Sequence, residues 1–325
     1  MKYDVTAMGE LLIDFTQNGI TEQGNGLFEA NPGGAPCNVL AMLAKLGKKA
    51  AFIGKVGDDL FGRLLFRVIA EAGIDAGGLV FDPSVRTTLS FVRNTPDGDR
   101  DFSFYRNPGA DQRITPAEVR TDLIRQSGMF HFGTLSLTDE PARSATQAAV
   151  ETAARAGALI SFDPNLRPPL WPSLEEAKKQ MAWGCGRCAV LKIAAEELAF
   201  LAGEDAVGPG IASLRGRFPG IALFLVTKGK DGAEAFYGGV HVSVPAYREV
   251  RTIDTTGAGD TFCGACLAYL LDHDPDRLTE EQLTEMLKFA NAAAALVTAK
   301  KGALRSMPSR GEILRLMGEE DPLRG

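Results

Sequence analysis

The sequence lacks any apolar run of the ~18 residues that a membrane-spanning helix requires. Its first residues, MKYDVTAMGELLIDF, place Asp4, Glu10 and Asp14 where the apolar part of a signal peptide would lie, so we expect a cytoplasmic protein. Positive charge is also in deficit, with 35 Lys and Arg against 41 Asp and Glu and a net charge of −6. This balance argues against nucleic acid or an anionic membrane as the main partner, because both select basic surfaces.

Cysteine and histidine are scarce as well. The five cysteines form two C-x-x-C pairs with one residue left over: Cys185 and Cys188, Cys263 and Cys266, and Cys37. Two such pairs can make a structural zinc site, but the second lies in the apolar run DTFCGACLAYLL, so buried reduced thiols are favoured. The three histidines, His131, His241 and His273, are far apart in the sequence and suggest neither a zinc triad nor a Ser/His/Asp hydrolase.

What is present is a regular alternation of short β-rich runs and amphipathic helical patterns over 325 residues, 45% of them hydrophobic. The expected strands are YDVTAMGE, KAAFIGKVG, GMFHFGTLS, ALISFDPN, CAVLKI and IALFLVTKG. The expected helices include APCNVLAMLAKLG, DDLFGRLLFRVIAEAG, SATQAAVETAARAG and a long one that spans Leu283 to Val297. The pattern predicts an α/β fold with a largely parallel central sheet and helices on both faces.

Two regions, residues 11–31 and 85–106, break this alternation and look like paired strands around a turn. The TPDGD segment at 95–99 is a strong turn signal. The two pairs can combine into a small β-sheet lid over a site, or they can be peripheral decoration. Because the sequence has no internal repeat, low-complexity tract or linker, we expect a single domain, 1–325, with the lid insertions inside it.

The DTTGAGDTF stretch, residues 254–262, has the composition of an anion-binding loop that leads into a helix. Gly257, Ala258 and Gly259 let an anion approach their backbone amides, and the start of the next helix adds a positive dipole end. Asp260 then faces the anion, where a carboxylate is useful as the base that takes a proton from a hydroxyl being phosphorylated. The alternative is that Asp260 caps the helix. The sequence contains neither a P-loop nor a dinucleotide-binding fingerprint.

DTTGAGD together with NPGGAPCNV at 31–39 resembles the ribokinase (PfkB) family of carbohydrate kinases, over essentially the whole chain. NPGGAPCNV, FYRNPGAD and FDPNLRPPLW are most similar to the fructokinase branch of that family. The resemblance implies transfer of the ATP γ-phosphoryl group to a sugar hydroxyl, fructose being favoured. It also implies a parallel-sheet body with a β lid that often pairs two subunits, so a homodimer through the lid is possible.

The resemblance also implies site residues. Asp260 matches the catalytic base, and Gly257, Ala258 and Gly259 match the anion hole. The positions expected at the sugar are Asp14, Gly33, Gly34 and Asn38. A polyol needs fixed donors and acceptors, which an aspartate, an asparagine and exposed backbone supply. The alternatives are a strand-end turn for Asp14 and a helix N-cap for Asn38.

For the nucleotide, the matching positions are Lys192, Thr227, Lys228, Gly229, Gly232, Gly257, Gly259 and Asn291. The VTKGKDG segment at 226–232 can alternatively be a solvated hairpin turn. Relatives often carry a glutamate that orders water on Mg²⁺ where this chain has Ala195, and Glu197 is a weak substitute that acts through water.

A potassium site is implied next to the anion loop. Its expected ligands are Asp254, Thr256, the carbonyl oxygens of Val297, Lys300 and Gly302, and the hydroxyl of Ser306. The alternative is that Asp254 caps a turn.

The choice of sugar stays open at this stage. Arg106, Asn165 and Arg167 can contact the substrate or serve as structural tethers. Basic residues near such positions grip the carboxylate of 2-keto-3-deoxygluconate in some relatives, so that sugar and ribose are alternatives to fructose. A catalytically inactive sugar-binding regulator is the alternative from a different class, and the intact GAGD segment argues against it.

Overall fold

The computed structural model describes residues 1–94 and 100–319. The strands are β1 (Tyr3–Met8), β2 (Leu12–Ile20), β3 (Gly26–Gly33), β4 (Ala50–Gly57), β5 (Ile74–Asp82), β6 (Leu89–Asn94), β7 (Arg100–Tyr105), β8 (Ser127–Gly133), β9 (Leu159–Asp163), β10 (Val190–Ala194), β11 (Leu223–Thr227), β12 (Ala233–Tyr237) and β13 (Val240–Val244). The α-helices are α1 (Ala35–Lys45), α2 (Leu60–Glu71), α3 (Thr121–Arg125), α4 (Ala142–Arg155), α5 (Leu174–Cys185), α6 (Ala195–Ala202), α7 (Val207–Arg217), α8 (Ala258–Asp272), α9 (Glu280–Thr298) and α10 (Arg310–Met317).

Nine of these strands form the main sheet, in the order β13-β12-β11-β10-β9-β8-β1-β4-β5. All neighbours from β11 to β5 pair in parallel, whereas β12 and β13 are antiparallel additions at one edge. The inner strands are largely apolar because both faces are covered; every residue of β4 is buried. The predicted α/β fold with a largely parallel sheet is confirmed.

Helices cover both faces of the sheet and define two apolar cores. One core packs α1, α2, α8, α9 and α10 on one face, and the other packs α3 to α7 on the opposite face. The two cysteine pairs are buried in different cores, Cys263 and Cys266 in the first and Cys185 and Cys188 in the second. The sheet therefore separates the two pairs, and they cannot form one four-cysteine zinc site.

The remaining four strands form a small separate sheet, in the order β3-β2-β6-β7. Each predicted strand pair is present and antiparallel, and the parallel pairing of β2 with β6 joins them. Phe15 of β2 stacks on Phe91 of β6, with ring centroids 5.0 Å apart. The predicted TPDGD turn at 95–99 lies outside the described residues. The small sheet is thus built as expected, while the organisation of 1–325 as one domain with lid insertions stays a prediction.

Across the two described ranges, none of the helices has the length and apolar character needed to cross a membrane.

Candidate active site

A cavity of about 510 Å³ opens at the carboxyl ends of the central strands, under the small sheet. The loops after β1, β8 and β9 reach it from the main sheet, and β2 and β7 reach it from the small one. It is lined by Glu10, Leu12, Asp14, Gly34, Ala35, Asn38, Phe104, Leu135, Asn165, Arg167, Lys192, Thr255, Thr256, Gly257, Ala258, Gly259 and Asp260. Ligands of open α/β sheets bind at this edge.

The predicted anion loop forms one wall of this cavity, and α8 begins at its end. Gly257 is the N-cap of α8 and has the left-handed φ of 76° that favours glycine. A Cβ atom on Gly257 would lie 2.3 Å from the Cβ of Ala303, so the neighbouring loop leaves no room for a side chain. Gly257, Ala258 and Gly259 all line the cavity, where an anion can approach the start of the helix, although Ala258 N donates to the Thr255 carbonyl at 3.2 Å.

Asp260 lies in the first turn of α8, at the inner end of the cavity. Burial, with the nearby Asp163 carboxylate, raises the pKa of Asp260 to about 6, although a hydrogen bond from Asn38 and the Lys192 charge act in the opposite direction. The Asn38 Nδ2 donates to Asp260 Oδ2 at 2.8 Å. The N-cap position belongs to Gly257, so the alternative of a capping role for Asp260 is wrong.

The sugar side of the cavity is built on the entry into α1. Gly34 is the N-cap of α1 with a φ of 134°, and a Cβ there would lie 2.4 Å from the backbone oxygen of Glu10. Glu10 Oε1 accepts a hydrogen bond from Ala35 N at 2.8 Å, and burial raises the pKa of this carboxyl to about 7. Asn38 is inside α1, so the alternative that it caps the helix is wrong.

Two further predicted sugar residues lie on the small sheet. Asp14 of β2 lines the cavity and accepts a hydrogen bond from the Ser90 hydroxyl of β6. Gly33, at the end of β3, pairs with Leu12 and is not among the residues that line the cavity. The structure therefore brings Asp14, but not Gly33, to the cavity wall.

The two arginines differ in their surroundings. Arg106 is buried, and its guanidinium donates to Asp111, to the Thr138 hydroxyl and to the Leu135 carbonyl at 2.7 to 3.0 Å. These bonds make Arg106 a structural tether, the second of its two predicted roles, and it does not line the cavity.

Arg167 does line the cavity, and its guanidinium donates to the Leu166 carbonyl at 3.2 Å. Asn165 lines it too and has a φ of 45°, which is rare outside glycine and holds this asparagine in a sharp turn after β9. Both residues are placed where a bound sugar or phosphate can be contacted.

A second cavity, of about 380 Å³, lies on the other side of the anion loop. Thr255 and Ala258 line both cavities, so the loop separates two adjoining compartments. Asn291 of α9 lines the second one and donates to the carbonyls of Val244 and Pro245, both at 3.1 Å. Its amide thus fixes the chain after β13, which supplies much of the wall.

The VTKGKDG segment is a hairpin turn between β11 and β12, as the structural alternative predicted. Gly229 lines the second cavity, but Thr227, Lys228 and Gly232 line neither of the two. Lys228 Nζ pairs with Glu234 at 2.6 Å, which directs this charge along the sheet edge.

Lys192 of β10 is buried behind the anion loop. Its Nζ lies 3.0 and 3.2 Å from the two carboxylate oxygens of Asp163. A Cβ atom on Gly259 would lie 3.1 Å from this Nζ, so the ammonium is in close contact with the loop backbone. Burial acts to lower the pKa of Lys192, but the Asp163 and Glu197 carboxylates more than offset it and hold the pKa above its usual range.

Glu197, the weak magnesium candidate, has a structural role. Its Oε2 accepts from Ala194 N at 2.9 Å and its Oε1 accepts from Leu166 N at 2.6 Å, so it closes the N-terminus of α6 and ties it to the loop after β9. Ala195 begins α6 and supplies no ligand. In the part of the chain that the structure describes, no group of three or more His, Cys, Asp or Glu side chains could hold a metal ion.

The predicted potassium ligands come together from two loops. Asp254 is buried, and its Oδ1 accepts from the backbone and hydroxyl of Thr256 at 2.9 and 2.7 Å. Its Oδ2 accepts from Gly302 N at 3.1 Å, which joins this turn to the loop after α9. Ser306 closes that loop through a bond to the Lys301 carbonyl at 2.8 Å. Asp254 therefore does cap a turn, and the turn holds the two loops together.

Lys300 N donates to the Val297 carbonyl at 3.2 Å, so two residues with predicted carbonyl ligands are joined at the end of α9, Val297 in its last turn and Lys300 just beyond it. Carboxylate, hydroxyl and carbonyl oxygens are the donors that hard cations prefer. The donor set thus suits an alkali cation next to the anion loop.

Sequence reasoning missed several lining residues. Glu10 lies two residues after the end of β1, and its place near a strand end was the signal that could have found it. Asp163, which ends β9 and pairs with the lining residue Lys192, was also missed although it carried the same signal. Tyr247 and Arg248, which line the second cavity, carried no comparable sequence signal because they lie in an irregular segment after β13.

A family profile described as pfkB family carbohydrate kinase matches residues 2–310. The chain belongs to this family. It is therefore a carbohydrate kinase, and the resemblance found in the DTTGAGD and NPGGAPCNV segments is confirmed.

Relatives of this PfkB kinase are similar over nearly the full chain. Fructokinase-1 of Zea mays is 45% identical over 316 residues, which cover 96% of this chain and 97% of the relative. The structure of a fructokinase from Xylella fastidiosa with bound ATP superposes with a TM-score of 0.88 at 32% identity, covering 98% and 99% of the two chains. A fructokinase double mutant from Vibrio cholerae O395, with fructose, ADP and potassium bound, gives a TM-score of 0.87 at 31% identity, covering 97% and 98%.

Proposed function

We propose that this PfkB kinase is an ATP-dependent fructokinase that converts fructose to fructose 6-phosphate. One observation carries the proposal: a carboxylate of raised proton affinity, Asp260, lies directly behind an anion loop that separates two adjoining cavities. The first cavity suits the sugar and the second the nucleotide. The fructokinases of Zea mays and Vibrio cholerae support fructose as the acceptor.

In the reaction, Asp260 accepts the proton of the sugar 6-hydroxyl as that oxygen attacks the γ-phosphorus of ATP. The new bond joins the 6-oxygen to the phosphorus, and the bond from phosphorus to the β,γ-bridging oxygen breaks, which releases ADP. The amides of Gly257 and Gly259 stabilise the charge on the phosphoryl group in transfer, and that of Ala258 joins them by giving up its bond to the Thr255 carbonyl. Asn38 keeps the base in place through its 2.8 Å hydrogen bond to Asp260.

A neutral sugar is favoured over an acid sugar by the surroundings of the two arginines. Recognition of a carboxylate generally uses a guanidinium with free donors. Arg106 is committed to Asp111, Thr138 and Leu135 inside the protein. Arg167 alone of the pair lines the cavity, so 2-keto-3-deoxygluconate would have one arginine rather than two. Asp14, Asn38 and the Gly34 backbone are suited to hydroxyl groups.

The nucleotide would enter as its magnesium complex and occupy the second cavity. Gly229 and Asn291 would contact it there, and Lys192 would face its terminal phosphates. We place Mg²⁺ on the ATP phosphates and water, because both oxygens of Glu197 accept from backbone amides. Asp254, Thr256 and the oxygens of the loop 297–306 would hold K⁺, whose charge would draw the two loops together and fix the shape of the anion hole.

The decisive experiment is a panel of fructose, ribose, 2-keto-3-deoxygluconate and adenosine, each with MgATP, with ADP release as the readout. We expect the highest kcat/KM for fructose. A preference for 2-keto-3-deoxygluconate or ribose would leave a sugar kinase with a different acceptor. Fructose binding by calorimetry without ADP release from any sugar would favour the inactive regulator.

We also propose that the small sheet pairs two copies of the chain. Its strands carry large apolar side chains exposed to solvent, among them Ile20, Leu27, Phe28 and Tyr105. Exposed apolar clusters mark interaction surfaces, and pairing would also protect open strand edges.

A further inference from the structure

The buried ion pair between Lys192 and Asp163 lies against the anion loop, and its lysine lines the sugar cavity. Lys192 is 6% exposed and Asp163 is 2% exposed, and the pair is made through both carboxylate oxygens. Burying such a pair carries a large desolvation cost, so an ion pair is weak evidence for stability. The position of this pair points to a use beyond folding.

Three contacts tie the pair to the reaction site. The Lys192 ammonium is packed on the backbone of Gly259, in the anion loop. Asp163 Oδ1 accepts from Asn165 N at 3.2 Å and so fixes the left-handed Asn165 at the cavity wall. Lys192 itself lines the sugar cavity next to Asp260.

We propose that Asp163 is a positioning residue that holds the Lys192 ammonium on the anion loop, where this ammonium stabilises the negative charge of the phosphoryl group during transfer. The inference rests on the proposed kinase reaction and adds a side-chain cation to the backbone amides of the anion hole. A fixed cation in a site shielded from water stabilises developing charge without reorganisation. Lysine binds phosphate as a compact point charge, so its placement depends on a rigid partner.

The charged groups that face Asp260 make the proposal testable by pH. Asp163 of β9 raises the pKa of Asp260, while Lys192 of β10 and Arg167 after β9 lower it. Glu10 and Asp14 line the same cavity but lie on the sugar side. Glu197 faces Lys192 from α6 and, like Asp163, raises the pKa of this lysine. The acid limb of the pH–rate profile is the fall in kcat at low pH that follows protonation of Asp260. Removal of Lys192 and removal of Asp163 should therefore move this limb in opposite directions along the pH axis.

The experiment compares Lys192→Met, Lys192→Arg, Asp163→Asn and the double variant Asp163→Asn/Lys192→Met in the full chain. We expect Lys192→Met to lower kcat by ~10²-fold, with the fructose KM within about twofold of wild type, since the lost interaction is with the phosphoryl group and strengthens in the transition state. Its acid limb should move to higher pH. Asp163→Asn should lower kcat by about tenfold and move the acid limb to lower pH, and Lys192→Arg should recover much of the turnover.

A matched control is Lys55→Met. Lys55 is an equally buried lysine of β4, paired with Asp82 at 3.2 Å and Glu118 at 2.8 Å, and it lines neither cavity. We expect the Lys55→Met replacement to lower the stability of the protein without moving the acid limb of the pH–rate profile. The double variant should be more stable than Lys192→Met, because the Asp163 carboxylate is no longer left without its cation, yet it should not regain kcat.

The outcomes separate this inference from the proposed function. If the wild-type chain releases no ADP with any sugar, the kinase proposal itself fails. If the wild type turns over but the acid limb moves the same way in Lys192→Met and Asp163→Asn, or if the double variant recovers wild-type kcat, the positioning role is overturned and the kinase proposal stands. Lower melting temperatures with unchanged kcat in both single variants would likewise reduce the pair to a structural one.

Discussion

Replacement of Asp260 by asparagine tests the catalytic base and makes a second, less obvious prediction about stability. Asparagine keeps the size of the side chain and can still accept the hydrogen bond that Asn38 donates at 2.8 Å. It cannot accept the proton of the sugar hydroxyl. General-base catalysis contributes ~10² to 10⁴ in rate, so we expect kcat to fall by that factor while the fructose KM changes little.

The stability change follows from the pKa of Asp260, which burial raises from 3.8 to about 6. Because the folded state binds this proton more tightly than the unfolded state, the protonated carboxyl contributes to the free energy of unfolding. That contribution is fully present below pH 3.8 and is lost as the pH rises to about 6. Above that pH the ionised carboxylate opposes folding by at most about 3 kcal/mol. Asparagine does not ionise, so Asp260→Asn should be more stable than wild type at pH 8 and should gain less at pH 5.

The assay combines ADP release with urea unfolding at pH 5 and pH 8. Asp59→Asn is a control for which we expect the opposite change in stability. Hydrogen bonds from Thr87 and Gly62 outweigh burial and lower the pKa of Asp59. That variant should lose stability at pH 8 and less at lower pH. Undiminished turnover of Asp260→Asn would refute the base. A stability gain that is equal at both pH values would refute the explanation of the raised pKa.

Three further predictions concern the anion loop, the cation and the small sheet. Gly257→Ala should lower both kcat and the melting temperature, because the φ of Gly257 is 76° and an added Cβ would lie 2.3 Å from the Cβ of Ala303. An active, stable variant would contradict this account. Activity in K⁺ should exceed that in Na⁺ at equal ionic strength, and Asp254→Ala should abolish the difference; equal rates for the wild type would count against the cation site. Ile20→Ser with Leu27→Ser should shift a dimer to monomer in light scattering, whereas the exposed Leu174→Ser on α5 should not; a monomeric wild type would exclude the pairing.

Much of the fold follows from periodicity because the central strands carry the strongest signal. β4 and β11 are largely apolar runs, which are typical of a sheet covered on both faces. β5 was missed because IDAGGLVFD has two adjacent glycines in its interior, where strand propensity is low. The β12–β13 hairpin was missed although its Gly238-Gly239 turn is a recognised hairpin signal.

The part of the site that is local in sequence could be predicted, whereas the part assembled by the fold could not. Asp260 and the anion loop are contiguous in sequence, so local chemistry alone makes them recognisable. Glu10 reaches the cavity, and Asp163 reaches the Lys192 that lines it, only because the sheet order places β1, β8, β9 and β10 side by side. Arg106 was a candidate for the substrate because a sequence does not show which acceptors, here on Asp111, Thr138 and Leu135, fold around a guanidinium.

A carboxylate base beside a phosphate raises the question of how one site accommodates two negative charges. The start of α8 provides the answer, because Asp260 is in its first turn and the loop amides precede it, so the same positive helix end favours both groups. Burial and the Asp163 carboxylate raise the pKa of Asp260, whereas Asn38 and Lys192 act to lower it, and the result is a pKa of about 6. The base therefore remains mostly ionised near pH 7, with a hydrogen-bond donor from α1 and a cation from β10 both favouring its charged form.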